Sequence, residues 1–262
     1  MKKYLSVLAL DARCTVYKLL GILLASSVLQ IWNFRRILWK TMHYYIDNLG
    51  AEETAQIEER RLLITFERAL GESHLQWFFG VTLLLSVAVL IYSCSEHGKV
   101  KTKQFLWRLR IERRGLYIVW AFYRVFWFAL IMAWQILLVI GLNEMYQQLI
   151  GKGKAPQSLY MAFQRNAFLH NMLPLTDVLG IVKLLCMIVF LGMGTAYVGY
   201  RGIGEHKNAC GAVAVLMIYA ILLFAAGADI FFIEIVFIGA CVIAIIGMAV
   251  SVAGSLGEHY DG

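Results

Sequence analysis

Six long apolar stretches constrain the fold of this chain of 262 residues more than any other feature. A helix rises about 1.5 Å per residue, so about 20 apolar residues cross a hydrocarbon core about 30 Å thick. Backbone groups in lipid must bond internally, and runs that are continuously apolar rather than alternating favour helices over a barrel. We therefore predict an all-α polytopic membrane protein. Its six transmembrane spans are expected at about residues 17–34, 77–93, 115–142, 178–200, 209–226 and 230–253.

The positive charge of the chain is concentrated beside one of these stretches. The formal net charge is +7, and seven of the 24 Lys and Arg residues lie between Lys99 and Arg114. A basic cluster next to a span is typical of a topology determinant that contacts lipid headgroups. We therefore expect membrane lipids, and no nucleic acid, among the partners.

The distribution of Lys and Arg predicts that both termini are cytoplasmic. With that orientation the inner segments, 1–16, 94–114, 201–208 and 254–262, carry 12 basic residues over 54 positions. The outer segments carry 9 over 80 positions, so the inner side is the more basic, as the positive-inside rule requires.

The segments outside the spans are predicted to be helical as well. Residues 1–16 are interrupted by Asp11 and Arg13, which indicates an amphipathic helix along the membrane surface that is retained in the mature protein. Residues 17–262 then form one six-helix transmembrane domain. Apolar residues recur at helical spacing in Ala51–Leu75 and in Gln157–Leu173, so we expect short helices that cap the extracellular face.

The familiar catalytic and cofactor motifs are absent from the sequence. A P-loop requires Gly-x-x-x-x-Gly-Lys-Ser/Thr, and Gly151–Lys154 does not have that spacing. The five cysteines show no Cys-x-x-Cys pattern, and there is no His-Glu-x-x-His motif. We predict no catalytic residue, no metal site, no cofactor bound by this chain and no ATP hydrolysis by it; an intramembrane enzyme is the weaker class, because the polar groups are scattered at span ends.

Residues 94–114 form the loop between the second and third spans. Phe105, Leu106, Leu109 and Ile111 are apolar among basic neighbours, which indicates a short amphipathic helix on the cytoplasmic surface. Two interpretations stay open at this point. The helix is either a connector held against anionic lipid or a lever that docks into a partner and transmits its motion to the third span.

The same loop resembles the cytoplasmic loop of permease subunits of ABC (ATP-binding cassette) transporters, in the ABC type-2 exporter family. Gly98-Lys99 corresponds to the lead-in, Phe105–Arg110 to the coupling helix and Arg113-Arg114 to the entry of the third span. The pattern from Trp127 to Tyr146 is similar to the third span of such permeases, and the pattern from Phe163 to Leu175 is similar to the segment before their fourth span. The resemblance covers most of the chain.

The resemblance implies a function. It implies the membrane permease subunit of an exporter in the bacterial cytoplasmic membrane, which moves a peptide, antibiotic or lipid-like substrate by alternating access. The implied partners are an ATP-binding cassette subunit, which would bind ATP and Mg²⁺, and a second permease subunit, the same or homologous. The implied ATPase contacts are Lys103, Phe105, Leu106, Arg108, Leu109 and Arg110. The alternative is a ligand-sensing or regulatory membrane protein without transport.

Four polar residues inside the spans are candidates for translocation or gating: Arg124, Gln135, Lys183 and Glu234. A central charged residue costs about 2.5–3.5 kcal/mol on insertion scales, so such residues should face protein, water or an interface. We expect Arg124 near the headgroups and Lys183 extended to the outer interface. A pair between Lys183 and Glu234 at the outer mouth is the other hypothesis for these two residues.

Overall fold

A computed structural model describes residues 2–47, 65–97, 113–150, 158–201, 207–227 and 231–254 of the chain. Within these ranges the chain is helical apart from short turns and caps, and contains no strand. The prediction of an all-α protein is therefore confirmed. The bounds of the helices in these ranges are α1 Lys2–Asp47, α2 Phe66–Glu72, α3 Leu75–His97, α4 Arg113–Ile150, α5 Leu159–Arg165, α6 Ala167–Met172, α7 Val178–Arg201, α8 Lys207–Ala226 and α9 Phe231–Gly254.

Five of these helices are long and apolar enough to cross a membrane. The apolar segments lie in α1, α3, α4, α7 and α9, over Asp11–Thr41, Leu75–Ser93, Gly115–Leu149, Val178–Tyr200 and Phe231–Gly254. The apolar part of α8, Cys210–Ala226, is shorter. The chain is a multi-pass membrane protein.

The three short helices α2, α5 and α6 gather at one end of the bundle, which we call the loop-helix end. There Phe66 of α2 stacks edge-on against Phe34 of α1, with ring centroids 6.0 Å apart. Phe66 also contacts Tyr146 near the end of α4, with centroids 5.4 Å apart. At the opposite end, Tyr117 of α4 packs against Tyr200 of α7. Since the later part of α1 meets the end of α4, and α4 begins where α7 ends, α1 and α4 run in the same direction and α7 runs opposite to them.

Local capping explains where the short helices begin. Thr65 accepts a hydrogen bond from the backbone of Arg68 at the start of α2, and Ser158 accepts one from Met161 at the start of α5. Asn166 ends α5 and caps α6 at the same time. Side-chain oxygens at these positions satisfy backbone N–H groups that have no partner within the helix. The helical tendency predicted for both outer segments is present in α2, α5 and α6, whereas residues 51–64 lie outside the described residues.

Glycines allow two close helix contacts. A Cβ atom on Gly192 of α7 would lie 2.7 Å from the Cα atom of Val125 in α4. A Cβ on Gly194 would lie 2.8 Å from the sulfur atom of Met217 in α8. The two positions let α4 and α8 approach α7 as small residues do in membrane proteins.

The structure differs from the predicted boundaries at both ends of the first span and at the far end of the third. α1 continues without a break past residues 16 and 34, where we predicted the junction with a separate surface helix 1–16 and the end of the first span. α4 likewise continues past residue 142 to Ile150. Hydropathy marks where a chain leaves lipid, but a helix needs no lipid to continue. Neither prolines nor caps interrupt the chain at these positions.

Candidate functional site

Ten of the 15 buried polar side chains in the described residues fall, with some partly exposed partners, into three clusters along the bundle. We name them by their chemistry. The arginine cluster contains Asp11, Thr15, Tyr123 and Arg124; the amide layer contains Ser26, Ser27, Gln30, Thr82, Trp134 and Gln135; the ionic cluster contains Asn171, Lys183 and Glu234.

The ionic cluster joins three helices near the loop-helix end. Lys183 is the sixth residue of α7, and its Nζ atom donates to Oε1 of Glu234 on α9 and to Oδ1 of Asn171 on α6. Lys183 is only 5% exposed and Glu234 only 7%. The expectation that Lys183 extends to the interface is therefore wrong. A carboxylate on the neighbouring helix offers the ammonium group a partner within reach, so the pair forms inside the protein.

The turn between α6 and α7 places Asn171 beside Lys183. Asp177 caps α7, because its Oδ1 and Oδ2 atoms accept from the backbone N–H groups of Leu179 (2.9 Å) and Gly180 (3.1 Å). Pro174 packs so closely on this first turn that a Cβ on Gly180 would lie 2.7 Å from the Cβ of the proline. A compact turn of this kind folds α6 back over the start of α7.

A small cavity adjoins the ionic cluster. Its volume is about 20 Å³, and it is bounded by the three polar residues and by Leu223, Phe224, Ile233 and Phe237. A cavity of roughly 10–15 Å³ or more accommodates one water molecule when polar groups line it. One water there would bond to the ammonium, carboxylate or amide group and reduce the cost of burying the two charges.

The amide layer lies deeper, between α1, α3 and α4. Gln30 and Gln135 are each more than ten residues from either end of their apolar segments. The two side chains bond reciprocally, with Nε2 of Gln135 donating to Oε1 of Gln30 (2.6 Å) and Nε2 of Gln30 donating to Oε1 of Gln135 (3.3 Å). The amides therefore satisfy one another where lipid would offer no partner.

Hydroxyl groups extend the amide layer to α3. Nε2 of Gln30 also donates to Oγ of Ser26, which lies 2.5 Å from Oγ1 of Thr82 on α3. Nε1 of Trp134 donates to Oγ of Ser27 at 2.8 Å. These bonds connect α1 to both α3 and α4 by neutral groups.

The arginine cluster lies nearer the opposite end, between α1 and α4. Arg124 is fully buried, and its guanidinium carbon lies 5.6 Å from the centre of the Trp120 ring. Oγ1 of Thr15 donates to the backbone carbonyl of Asp11 at 2.8 Å and lies 2.7 Å from the hydroxyl of Tyr123. Arg124, expected near the headgroups, thus has its side chain inside the bundle, over the ring of Trp120.

Sequence reasoning found some of these residues and missed others. It singled out Gln135, Lys183 and Glu234, but not Gln30, although a lone glutamine within an apolar stretch is a usable signal. Asn171 gave no signal, because it lies in a segment outside the spans and reaches Lys183 only through the folding of α6. The six predicted ATPase contacts, Lys103 to Arg110, lie outside the described residues.

A metal centre is not visible in the described part of the chain. There, no group of three or more His, Cys, Asp or Glu side chains comes together. Nε2 of His170 is 4.0 Å from Oδ2 of Asp177, but that carboxylate already caps α7. The three clusters can therefore hold helices together, bind polar groups or change partners when helices move.

Comparisons with protein-family models, with curated proteins and with solved structures gave no match.

Proposed function

We propose that this chain is the membrane permease subunit of an ATP-driven ABC exporter, in which separate subunits bind and hydrolyse ATP. The observation that carries the proposal is the burial of Lys183 and Glu234 within apolar helices of a multi-pass protein. Ionisable groups at such positions are costly, and they commonly mark pathways for ions or substrates. The resemblance of residues 98–114 to the coupling region of ABC type-2 permeases supplies the class of transporter.

The proposed architecture has six spans: the five long apolar helices and α8, which is the fifth span in chain order. Ring contacts support this, because Phe224 at the end of α8 lies 6.4 Å from Phe79 at the start of α3, at the loop-helix end. Both termini are then on the cytoplasmic side of the cell membrane, and the loop-helix end faces outward. A second permease subunit completes the translocation route.

The contacts of α4 suggest how motion would spread. α4 begins at Arg113, directly after the proposed coupling helix, and packs along α7, α1 and more lightly α3. The close approach at Gly192 and the Gln30–Gln135 pair couple α4 to α7 and α1 respectively. ATP-driven closure of the partner pair would push the coupling helix, and α4 would carry that displacement to the helices that bear Gln30 and Lys183.

Co-purification tests the proposal. The full chain, purified from its native membrane, should bring with it an ATP-binding cassette subunit. Replacing Phe105 and Leu106 by Asp removes two apolar anchors and should detach that subunit or abolish the stimulation of its ATPase activity. The matched control is the double variant Thr102→Asp, Gln104→Asp, which adds the same charge to the same loop without removing apolar side chains.

The outcomes are distinct. A chain that brings no nucleotide-binding subunit, or a Phe105/Leu106 variant with full binding and coupled ATP hydrolysis, contradicts the proposal. The first result would favour the alternative function, a ligand-sensing membrane protein. One observation favours that alternative. The ionic cluster lies at one end of the bundle, beside α6, and does not extend along the length of the bundle.

A further inference from the structure

Two helices of the bundle pack on α7 without packing closely on one another. α8 and α9 each run along α7, whereas contacts between α8 and α9 are sparse in the described residues. A cleft of about 230 Å³ lies between them, with Phe190 of α7 at its base. One wall is α8 from Leu216 to Leu223, and the other is α9 from Phe232 to Ala244.

The walls of this cleft suit hydrocarbon. The lining residues carry no charged side chain, and aromatic rings stand at both sides. Leu216 is 45% exposed, Tyr219 61% and Val236 53%, so the cleft opens away from the bundle, on the side where a transmembrane protein meets lipid. An open apolar cleft in a bilayer does not stay empty, because lipid chains are the surrounding solvent.

The length and position of the cleft match one leaflet. From Phe232 to Ala244 the wall of α9 measures about 18 Å, at about 1.5 Å per residue. Half of a hydrocarbon core of about 30 Å is about 15 Å. The upper end of the cleft lies at the start of α9, level with Glu234, and the lower end lies near the middle of that helix.

We propose that the cleft between α8 and α9 binds one acyl chain of a membrane phospholipid from the leaflet at the loop-helix end. Its headgroup would lie above the start of α9, outside the small cavity of the ionic cluster, which has room for a water molecule only. A helix of a second copy fits poorly, because a helix with its side chains is about 10–12 Å across. The proposal stands independently of the transport function.

Filling the cleft tests this inference. The full chain is placed in nanodiscs of phosphatidylcholine. Mild activation in the mass spectrometer releases the chain from the nanodisc, and native mass spectrometry measures the mass of the chain with any lipid that stays bound. The wild type should retain one phospholipid after the surrounding lipids have been removed. Ala240→Trp places an indole in the cleft and should lower that retention at least tenfold. Ile243→Trp adds the same side chain three residues away, at a position 73% exposed and outside the lining, and should leave retention unchanged.

A second measurement keeps the test decisive if Ala240→Trp does not fold. Leu216→Trp fills the cleft from the opposite wall, and a phosphatidylcholine with a diazirine on its acyl chain should label Ala240 and Ala244 in the wild type. Leu216→Trp should reduce that labelling but leave labelling at Ile243 unchanged. The proposal is overturned if the wild type retains no phospholipid, or if Ala240→Trp and Leu216→Trp retain as much phospholipid as the wild type. It is also overturned if the wild type is a dimer that these variants dissociate.

Discussion

The ionic cluster and the amide layer solve the same problem with different chemistry. Both bury polar side chains between helices, but the ionic cluster pairs two full charges one to two turns inside its helices, whereas the amide layer pairs neutral groups near the middle. The cost of burying a charge rises towards the centre of a bilayer, while an amide pair can satisfy itself at any depth. In these two regions the charged pair lies nearer the ends of its helices, and the neutral pair connects the helices at greater depth.

The largest expected effect comes from removing one charge of the ionic cluster. Glu234→Leu leaves the Lys183 ammonium buried without its carboxylate, which should lower the free energy of unfolding by about 3–5 kcal/mol. Lys183→Met should cost a similar amount. The double variant should recover most of the loss, because no charge then remains buried. Denaturant unfolding of the chain in detergent, followed by tryptophan fluorescence, measures all three variants.

An exposed ion pair in the same protein provides the control. Arg68 and Glu72 of α2 lie 3.0 Å apart with side chains 63% and 44% exposed, so Glu72→Ala should change the unfolding free energy by less than about 1 kcal/mol. If the double variant of the ionic cluster is less stable than either single variant, the two charges do not act as a buried pair. The contrast with the amide layer would then disappear.

The second-largest loss of stability is expected at the contact between α4 of the amide layer and α7 of the ionic cluster. α4 carries Gln135 and α7 carries Lys183, and the two helices approach closely at Gly192. Gly192→Ala would place a methyl group 2.6 Å from the backbone nitrogen of Val125, and the resulting strain should cost about 1–3 kcal/mol. Thermal unfolding in detergent measures the loss.

Gly141→Ala is the matched control, since a Cβ there meets nothing within 4 Å. It should leave stability unchanged or raise it slightly, because alanine favours a helix more than glycine does. Equal stability of both alanine variants would show that the contact at Gly192 accommodates a methyl group without strain, so that the two clusters need not be coupled through it.

The smallest effect is expected in the amide layer. Gln30→Leu and Gln135→Leu each leave one buried amide without its main partner, and a double-mutant cycle should give a coupling of about 0.6–1.7 kcal/mol. Gln148→Leu, at an exposed position on α4, is the control and should show no coupling to Gln30. A coupling as large as that of the ionic cluster would remove the distinction between neutral and charged pairs.

Parts of the fold could be predicted from the sequence because lipid imposes a simple rule. The apolar segments within α3, α7 and α9 begin and end within about two residues of the predicted spans, since hydropathy alone sets them. The ends of α1 and α4 could not be predicted in this way, because their polar continuations remain helical beyond the apolar part. The proposed coupling helix at Phe105–Arg110 remains a prediction.

The residues of the candidate sites could likewise be predicted only in part. Lys183, Glu234 and Gln135 stand out in sequence because each interrupts an apolar stretch, but their partners depend on how helices distant in sequence meet. Asn171 reaches Lys183 through the turn at Pro174, and Gln30 meets Gln135 across 105 residues. The choice between a lysine extended to the interface and a buried ion pair was therefore beyond what a linear pattern could decide.

The sequence by itself determined that this is a helical multi-pass membrane protein, because backbone groups in lipid must bond within the helix and apolar length sets the number of crossings. Tertiary structure alone decided which polar groups pair, where α4 and α7 touch, and that α8 and α9 diverge over a cleft. The reason is physical. Insertion into lipid depends on each segment separately, whereas pairing and packing depend on side chains that only the folded bundle brings together.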